Sequence, residues 1–130
     1  MNNSASYSPP SVILTGIMAF LPLIALGVYI LIFFSFFFDL ANDLERHTNY
    51  ITDDSFERYF LSIFLGIFLV GALGIVSLIY FLVIITRNPL LNSEMRLVWI
   101  LLSIFGGFIA NIVYMFMYVI PQNRGEQPLV

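Results

Sequence analysis

Residues 59–86 read YFLSIFLGIFLVGALGIVSLIYFLVIIT and contain no Asp, Glu, Lys, Arg or His. Two further stretches, residues 12–38 and 97–123, are equally free of charge. A helix needs about 20 apolar residues to cross the hydrocarbon core of a bilayer, so each stretch is long enough to cross it with some tilt. The sequence therefore predicts an all-α integral membrane protein with three transmembrane helices.

The composition favours a membrane protein over a soluble one. Hydrophobic residues make up 60% of the chain and charged residues 10%, whereas soluble domains contain about 25% charged residues. A soluble three-helix bundle needs polar outer faces, which these helices lack. The chain has no cysteine and no lysine, and its five arginines are scattered. These features exclude disulfides and thiolate metal sites, and they predict no nucleic-acid partner.

A single membrane domain of alternating spans and connectors is expected. Its parts are a polar tail (1–10), a first span (11–38), an acidic connector (39–58), a second span (59–86), a short connector (87–96), a third span (97–120) and a polar tail (121–130). The first span is predicted to be a retained anchor, because it is longer than the apolar part of a signal peptide and no positive side chain precedes it. Three crossings place the two termini on opposite sides of the bilayer.

Local signals indicate where the second and third helices begin. Asp54 and Glu57 have the spacing of a capping pair, so the second helix is predicted to begin near Ser55. Residues 88–93 combine an Asn-Pro turn signal with N-cap side chains, so the third helix is predicted to begin near Glu94. The shortness of this connector predicts that helices two and three form an antiparallel hairpin.

Arginine positions suggest an orientation. With three crossings, Arg87 and Arg96 lie on the side of the N-terminus, and the other three arginines lie on the opposite side. Both residues of the first group flank membrane ends in a short connector, and acidic residues contribute little to orientation. The sequence therefore predicts a cell-membrane protein with its N-terminus in the cytoplasm.

Small and polar residues mark the faces on which helices make contact. Lipid tails are as apolar as leucine, so helices in a membrane associate through close packing and hydrogen bonds. On the third helix the small residues share one face, opposite bulky residues such as Phe105. The predicted contact residues are Ser62, Gly66, Gly74 and Ser77 on helix two and Ser103, Gly106, Gly107, Ala110 and Asn111 on helix three. Packing within one bundle is favoured, and an oligomeric interface is the alternative.

Asn111 is the only amide side chain near the middle of a span. An unpaired amide is costly in hydrocarbon, so Asn111 is predicted to bond to a hydroxyl or to the Met18 carbonyl, which Pro22 frees. A structural role is the commoner one for such a residue, and a pore-lining or ligand-contacting role is the alternative. Aromatic residues near the predicted span ends are interpreted as interfacial anchors, namely Tyr59, Trp99 and Tyr118.

The acidic connector is the best alternative site. Its oxygen and imidazole groups belong to Asp39, Asp43, Glu45, His47, Asp53, Asp54 and Glu57. Their spacing matches no EF-hand or zinc pattern, and no nucleophile motif surrounds any serine. The absence of ionisable groups from the spans argues against proton-coupled transport. We therefore predict a solvated acidic loop and no catalytic, cofactor-binding or metal site.

Residues 79–118 contain Arg96, Trp99, the Gly106-Gly107 pair and Tyr114. In these features the run resembles the two-helix membrane anchor at the N-terminus of cardiolipin-synthase and phospholipase D-like proteins. That family shows a similar short loop, a Trp entering the second helix and a Gly/Tyr ending, although its Gly-Pro before the Tyr is missing here. A chain without lysine cannot contain the family's HxKxxxxD motif. The resemblance implies an anchor-type hairpin and no catalytic residue.

The sequence has no recognisable catalytic or metal-binding motif, and its helices carry faces of small residues. Together these features predict a non-enzymatic protein. It is expected to act through helix-helix contacts as an accessory, regulatory or immunity-type subunit, in contact with the lipid bilayer and with a membrane-protein partner or further copies of itself. The alternative is a self-assembling effector that forms a pore or disrupts the bilayer. An enzyme that works at the membrane surface through the acidic connector ranks third.

Overall fold

The computed structural model describes residues 9–46 and 53–125, and every regular element within these ranges is a helix. The elements are α1 (Val12–Arg46), α2 (Asp53–Arg87), α3 (Ser93–Tyr114), a π-helical turn (Met115–Val119) and α4 (Ile120–Arg124). Three helical segments are long and apolar enough to cross a membrane: Val12–Asn42, Tyr59–Arg87 and Ser93–Arg124. The predicted all-helical class is confirmed.

The helices begin close to where the local sequence signals place them. α3 begins at Ser93, one residue before the predicted start, and the Asn92 side chain accepts a hydrogen bond from the Met95 N–H at 2.8 Å. This bond satisfies one of the amide groups that have no partner inside the helix. α2 begins at Asp53, two residues before the predicted start at Ser55.

α3 changes direction at Gly107. This residue has φ 55° and ψ −135°, while the residues on both sides of it are helical. Residues other than glycine rarely adopt this backbone conformation, because their Cβ atom clashes with the neighbouring backbone. Two helices therefore meet at one residue, with no loop between them.

Contacts across this break show that the two halves fold back on each other. Trp99 and Tyr118 are 19 residues apart, which is about 28 Å along a continuous helix. Their ring centres are only 5.6 Å apart, and the rings of Trp99 and Tyr114 are 5.3 Å apart. Farther from the break, Gln122 Nε2 donates a hydrogen bond to Asn88 Oδ1 at 3.1 Å. The chain has therefore returned to the level at which α3 begins.

The third apolar segment is thus a helical hairpin. We call residues 93–106 its first arm, Gly107 its tip and residues 108–124 its second arm. The second arm ends beside the start of α1, where Asn123 Nδ2 donates to the Pro10 carbonyl at 3.0 Å. The third span, predicted over residues 97–120, is therefore divided by the non-helical glycine at the tip.

The buried core lies at one end of the α1 and α2 pair. The buried residues of these two helices are Thr15, Ala19, Pro22, Ser77, Phe81, Ile84 and Ile85. They pack with the hairpin, as the edge-to-face contact of Phe81 and Tyr114 shows, with ring centres 6.4 Å apart. Thr15 and Tyr80 join α1 to α2 through a hydroxyl to hydroxyl hydrogen bond of 3.0 Å.

The other half of the pair is covered by neither arm. From residue 23 to the end of α1 and from the start of α2 to residue 76, none of the side chains described is buried. The two helices touch each other there, for example through Phe36 and Tyr59, whose ring centres are 4.2 Å apart. The hairpin therefore covers one half of the α1 and α2 pair and leaves the other half uncovered.

Candidate functional site

A cavity of about 200 Å³ lies at the tip of the hairpin. Three polar residues from two elements line it, Ser77 from α2 and Ser103 and Asn111 from the two arms, together with apolar residues that include Pro22 and Phe108. All three polar residues belong to the predicted contact set, and the structure brings them together. None of the lining residues carries a charge, so the site offers only neutral donors and acceptors.

Ser77 makes the hydrogen bond for which Asn111 was the expected donor. Its Oγ donates to the Met18 carbonyl at 2.6 Å. Pro22 has no N–H, so this carbonyl lacks its usual partner within α1. The carbonyl freed by Pro22 is therefore used between helices, but Asn111 is not its donor.

Asn111 and Ser103 are buried with unused hydrogen-bonding capacity. Their side chains are 2% and 0% exposed, and in the described part of the chain neither Asn111 Oδ1 nor Ser103 Oγ has a hydrogen-bond partner. A buried polar atom without a partner costs about 1 to 3 kcal/mol. These two atoms therefore form no hydrogen bond between helices in the described part of the chain.

Replacement of Asn111 by leucine, which has a similar size, should leave the thermal unfolding midpoint in detergent unchanged or raise it. The substitution removes a buried polar group that contributes no bond through its oxygen. Ser77→Ala is the matched control and should lower the stability by about 1 kcal/mol, because it deletes the bond to Met18. A loss at Asn111→Leu as large as that at Ser77→Ala would show that the amide does hold helices together.

The other predicted contact residues lie in different surroundings. A side chain at Gly66 would overlap the ring of Tyr29, so this glycine is a point of close approach between α1 and α2. Ala110 is 8% exposed, and its Cβ is 3.0 Å from where a Cβ on Gly106 would lie. Gly74 lines the cavity and Ser62 is exposed.

Trp99 and Tyr118 lie inside the protein, 6% and 2% exposed. A continuous third helix would place them near opposite ends of one span, at the two membrane interfaces. The hairpin brings them together instead, and both rings pack on Tyr114. Their interpretation as interfacial anchors is therefore replaced by a role in the core. Tyr59 is half-buried against Phe36.

A second polar cluster surrounds Asn88, which was predicted only as a turn residue. Asn88 is 1% exposed, and its Nδ2 donates to the Tyr114 hydroxyl at 2.8 Å. Its Oδ1 accepts from the Leu90 N–H at 3.0 Å and from Gln122 Nε2 at 3.1 Å. One side chain thus joins the end of α2, the short connector and the second arm.

Arg96 reinforces the same connector. Its Nη2 donates to the carbonyls of Asn88 and Leu91, both at 3.2 Å. These carbonyls lie past the end of α2, where no helical N–H reaches them. Arg96 therefore holds the short connector in place through two hydrogen bonds.

In the parts of the chain that the structure describes, no three His, Asp or Glu side chains come together in a way that would hold a metal ion. Residues 47–52 of the acidic connector, with His47, lie outside the described residues. The arrangement at the tip and around Asn88 is suited to packing and neutral hydrogen bonding.

Comparison with known proteins finds no matching family, no matching curated protein and no matching solved structure. The resemblance of residues 79–118 to the anchor of cardiolipin-synthase and phospholipase D-like proteins stays a prediction.

Proposed function

We propose that this protein is a multi-pass protein of the cell membrane that catalyses no reaction and binds a membrane-protein partner through helix contacts. It would serve that partner as an accessory, regulatory or immunity-type subunit. The observation that supports this proposal is that the hairpin packs against only one half of the α1 and α2 pair.

The uncovered half presents a surface that a partner helix can approach closely. Many of its large side chains are exposed, among them Leu31 at 71% and Phe68 at 68%. Gly27 and Gly71 lie in the same half, and a Cβ on either would meet no atom within 4 Å. Among the described residues, nothing packs closely against these two glycines. Small residues at such positions allow a neighbouring backbone to pack closely, which drives association in lipid.

Leucine at Gly27 or Gly71 should abolish copurification of the partner from native membranes without lowering the unfolding midpoint of the chain. The new side chain enters free space within the chain but blocks a close approach from outside. Phe105→Ala, at a residue 85% exposed on the hairpin, is the control that should retain the partner. Retention of the partner by both glycine variants would mean that lipid alone covers this half.

The mass of the detergent-solubilised protein tests whether its partner is a different protein or a further copy of the same chain. One chain has a mass of 14.8 kDa, and the proposal expects one such chain with a second, different protein bound to it. A complex made only of further copies would contradict the proposal and favour the self-assembling effector.

A further inference from the structure

We infer that the hairpin enters the membrane and leaves it on the same side, so that the chain crosses the bilayer twice and its two termini share one side. This inference rests on the proposed membrane location. The segment Ser93–Arg124 is long and apolar enough for a third crossing. The geometry of this segment does not allow one, because it folds back at Gly107.

Neither arm projects far enough to cross the hydrocarbon core. The uncharged parts of the two arms, residues 97–106 and 108–123, would extend about 15 Å and about 24 Å, and both lengths fall short of a core about 30 Å thick. The charged residues at the two ends of the hairpin, Arg96 and Arg124, lie beyond the uncharged run on each arm. Both arms return to the level of Asn88, so both charged ends lie at one end of the molecule.

The depth of the tip follows from its neighbours on the other helices. The cavity at Gly107 is lined by Pro22 of α1 and Gly74 of α2. The uncharged stretches 12–38 and 59–86 have their midpoints within three residues of Pro22 and Gly74, a separation of about 5 Å along a helix. The tip therefore reaches the middle of the bilayer and goes no farther.

Three polar residues line the cavity at the tip. Non-helical backbone at membrane depth is tolerated where it is buried in protein or lines a water-filled cavity. Gly107 is half-buried and lines the same cavity as Ser77, Ser103 and Asn111. A break at this position is therefore compatible with a location inside the bilayer.

Two crossings also change the distribution of arginines. Arg87, Arg96 and Arg124 now share the side of the termini, and Arg46 and Arg58 lie on the other side with six of the eight acidic residues. Cytoplasmic loops carry the excess of arginine, so the count of three against two places both termini in the cytoplasm. The acidic connector then faces the opposite side.

Single cysteines can locate each segment, because the chain has none of its own. We would express Ser4→Cys, Thr48→Cys and Glu126→Cys separately, and treat inside-out and right-side-out vesicles with a membrane-impermeant maleimide. The expected result is at least tenfold more labelling of the variants at 4 and 126 in inside-out vesicles, and the reverse at 48.

Two other results would overturn the inference and differ from each other. Labelling of positions 4 and 126 in opposite kinds of vesicle would establish three crossings and leave the proposed membrane location intact. Equal labelling of all three variants in both kinds of vesicle would contradict the proposed membrane location itself. Phe105→Cys, close to the tip, serves as a control that stays unlabelled in both.

Discussion

Gly107→Ala is expected to lower the free energy of unfolding in detergent by about 1 to 3 kcal/mol, the cost of holding a residue other than glycine in this region of backbone space. The cause is the backbone, since φ is 55° and a Cβ at this position would meet no atom within 4 Å. Gly71→Ala is the matched control. Gly71 also has free space around it but lies within a regular helix, where alanine is the better residue by about 0.5 to 1 kcal/mol.

The fluorescence of Trp99 provides an independent readout for Gly107. It is the only tryptophan of the chain, and its ring contacts Tyr114 and Tyr118 of the opposite arm. A hairpin that opens at the tip separates these rings and changes the emission of Trp99. Equal effects of Gly107→Ala and Gly71→Ala on stability, with identical emission spectra, would show that the tip is not a turn.

Features with a local cause were predictable from the sequence. The three uncharged stretches predict three long apolar segments, because the length and hydrophobicity of a stretch can be read from its own residues. The start of α3 followed from Asn92, whose side chain bonds an amide only three residues away. Burial of Ser77 and Asn111 followed from their place on small faces.

The reversal at Gly107 was not predictable on the same grounds. Glycines are frequent in transmembrane helices, where they allow close packing, so the Gly106-Gly107 pair was interpreted as a contact surface. Neither composition nor periodicity distinguishes a packing glycine from one with a positive φ. The choice depends on contacts between the two arms, such as that of Trp99 with Tyr118, which are distant along the sequence.

The roles expected for several other residues also assume a straight third helix. A straight third helix separates Trp99 from Tyr118 and places them at opposite interfaces, which is why they were interpreted as anchors. It also leaves Asn88 without its partner on the second arm, so only its turn propensity was visible. Polar clusters built from distant segments need the topology first, and here the topology is set by one glycine.

Asn88→Leu is expected to lower the free energy of unfolding by about 3 kcal/mol, at about 1 kcal/mol for each of three hydrogen bonds. Those bonds join Asn88 to Leu90, Tyr114 and Gln122. Asn92→Ala is the matched control on the same connector. Its side chain is exposed and makes one capping bond, so its loss should cost only about 1 kcal/mol. Chemical unfolding in detergent measures both.

Combining Asn88→Leu with Gln122→Ala tests the hairpin through energetics alone. In the hairpin the two side chains share a hydrogen bond of 3.1 Å, so the double substitution should cost less than the sum of the single ones. In a straight third helix Gln122 lies about 43 Å from the start of α3 at Ser93. Sites so far apart act independently, within about 0.5 kcal/mol. Additive costs would therefore contradict the folded-back arm, whereas coupling above that limit requires the two ends of the segment to meet.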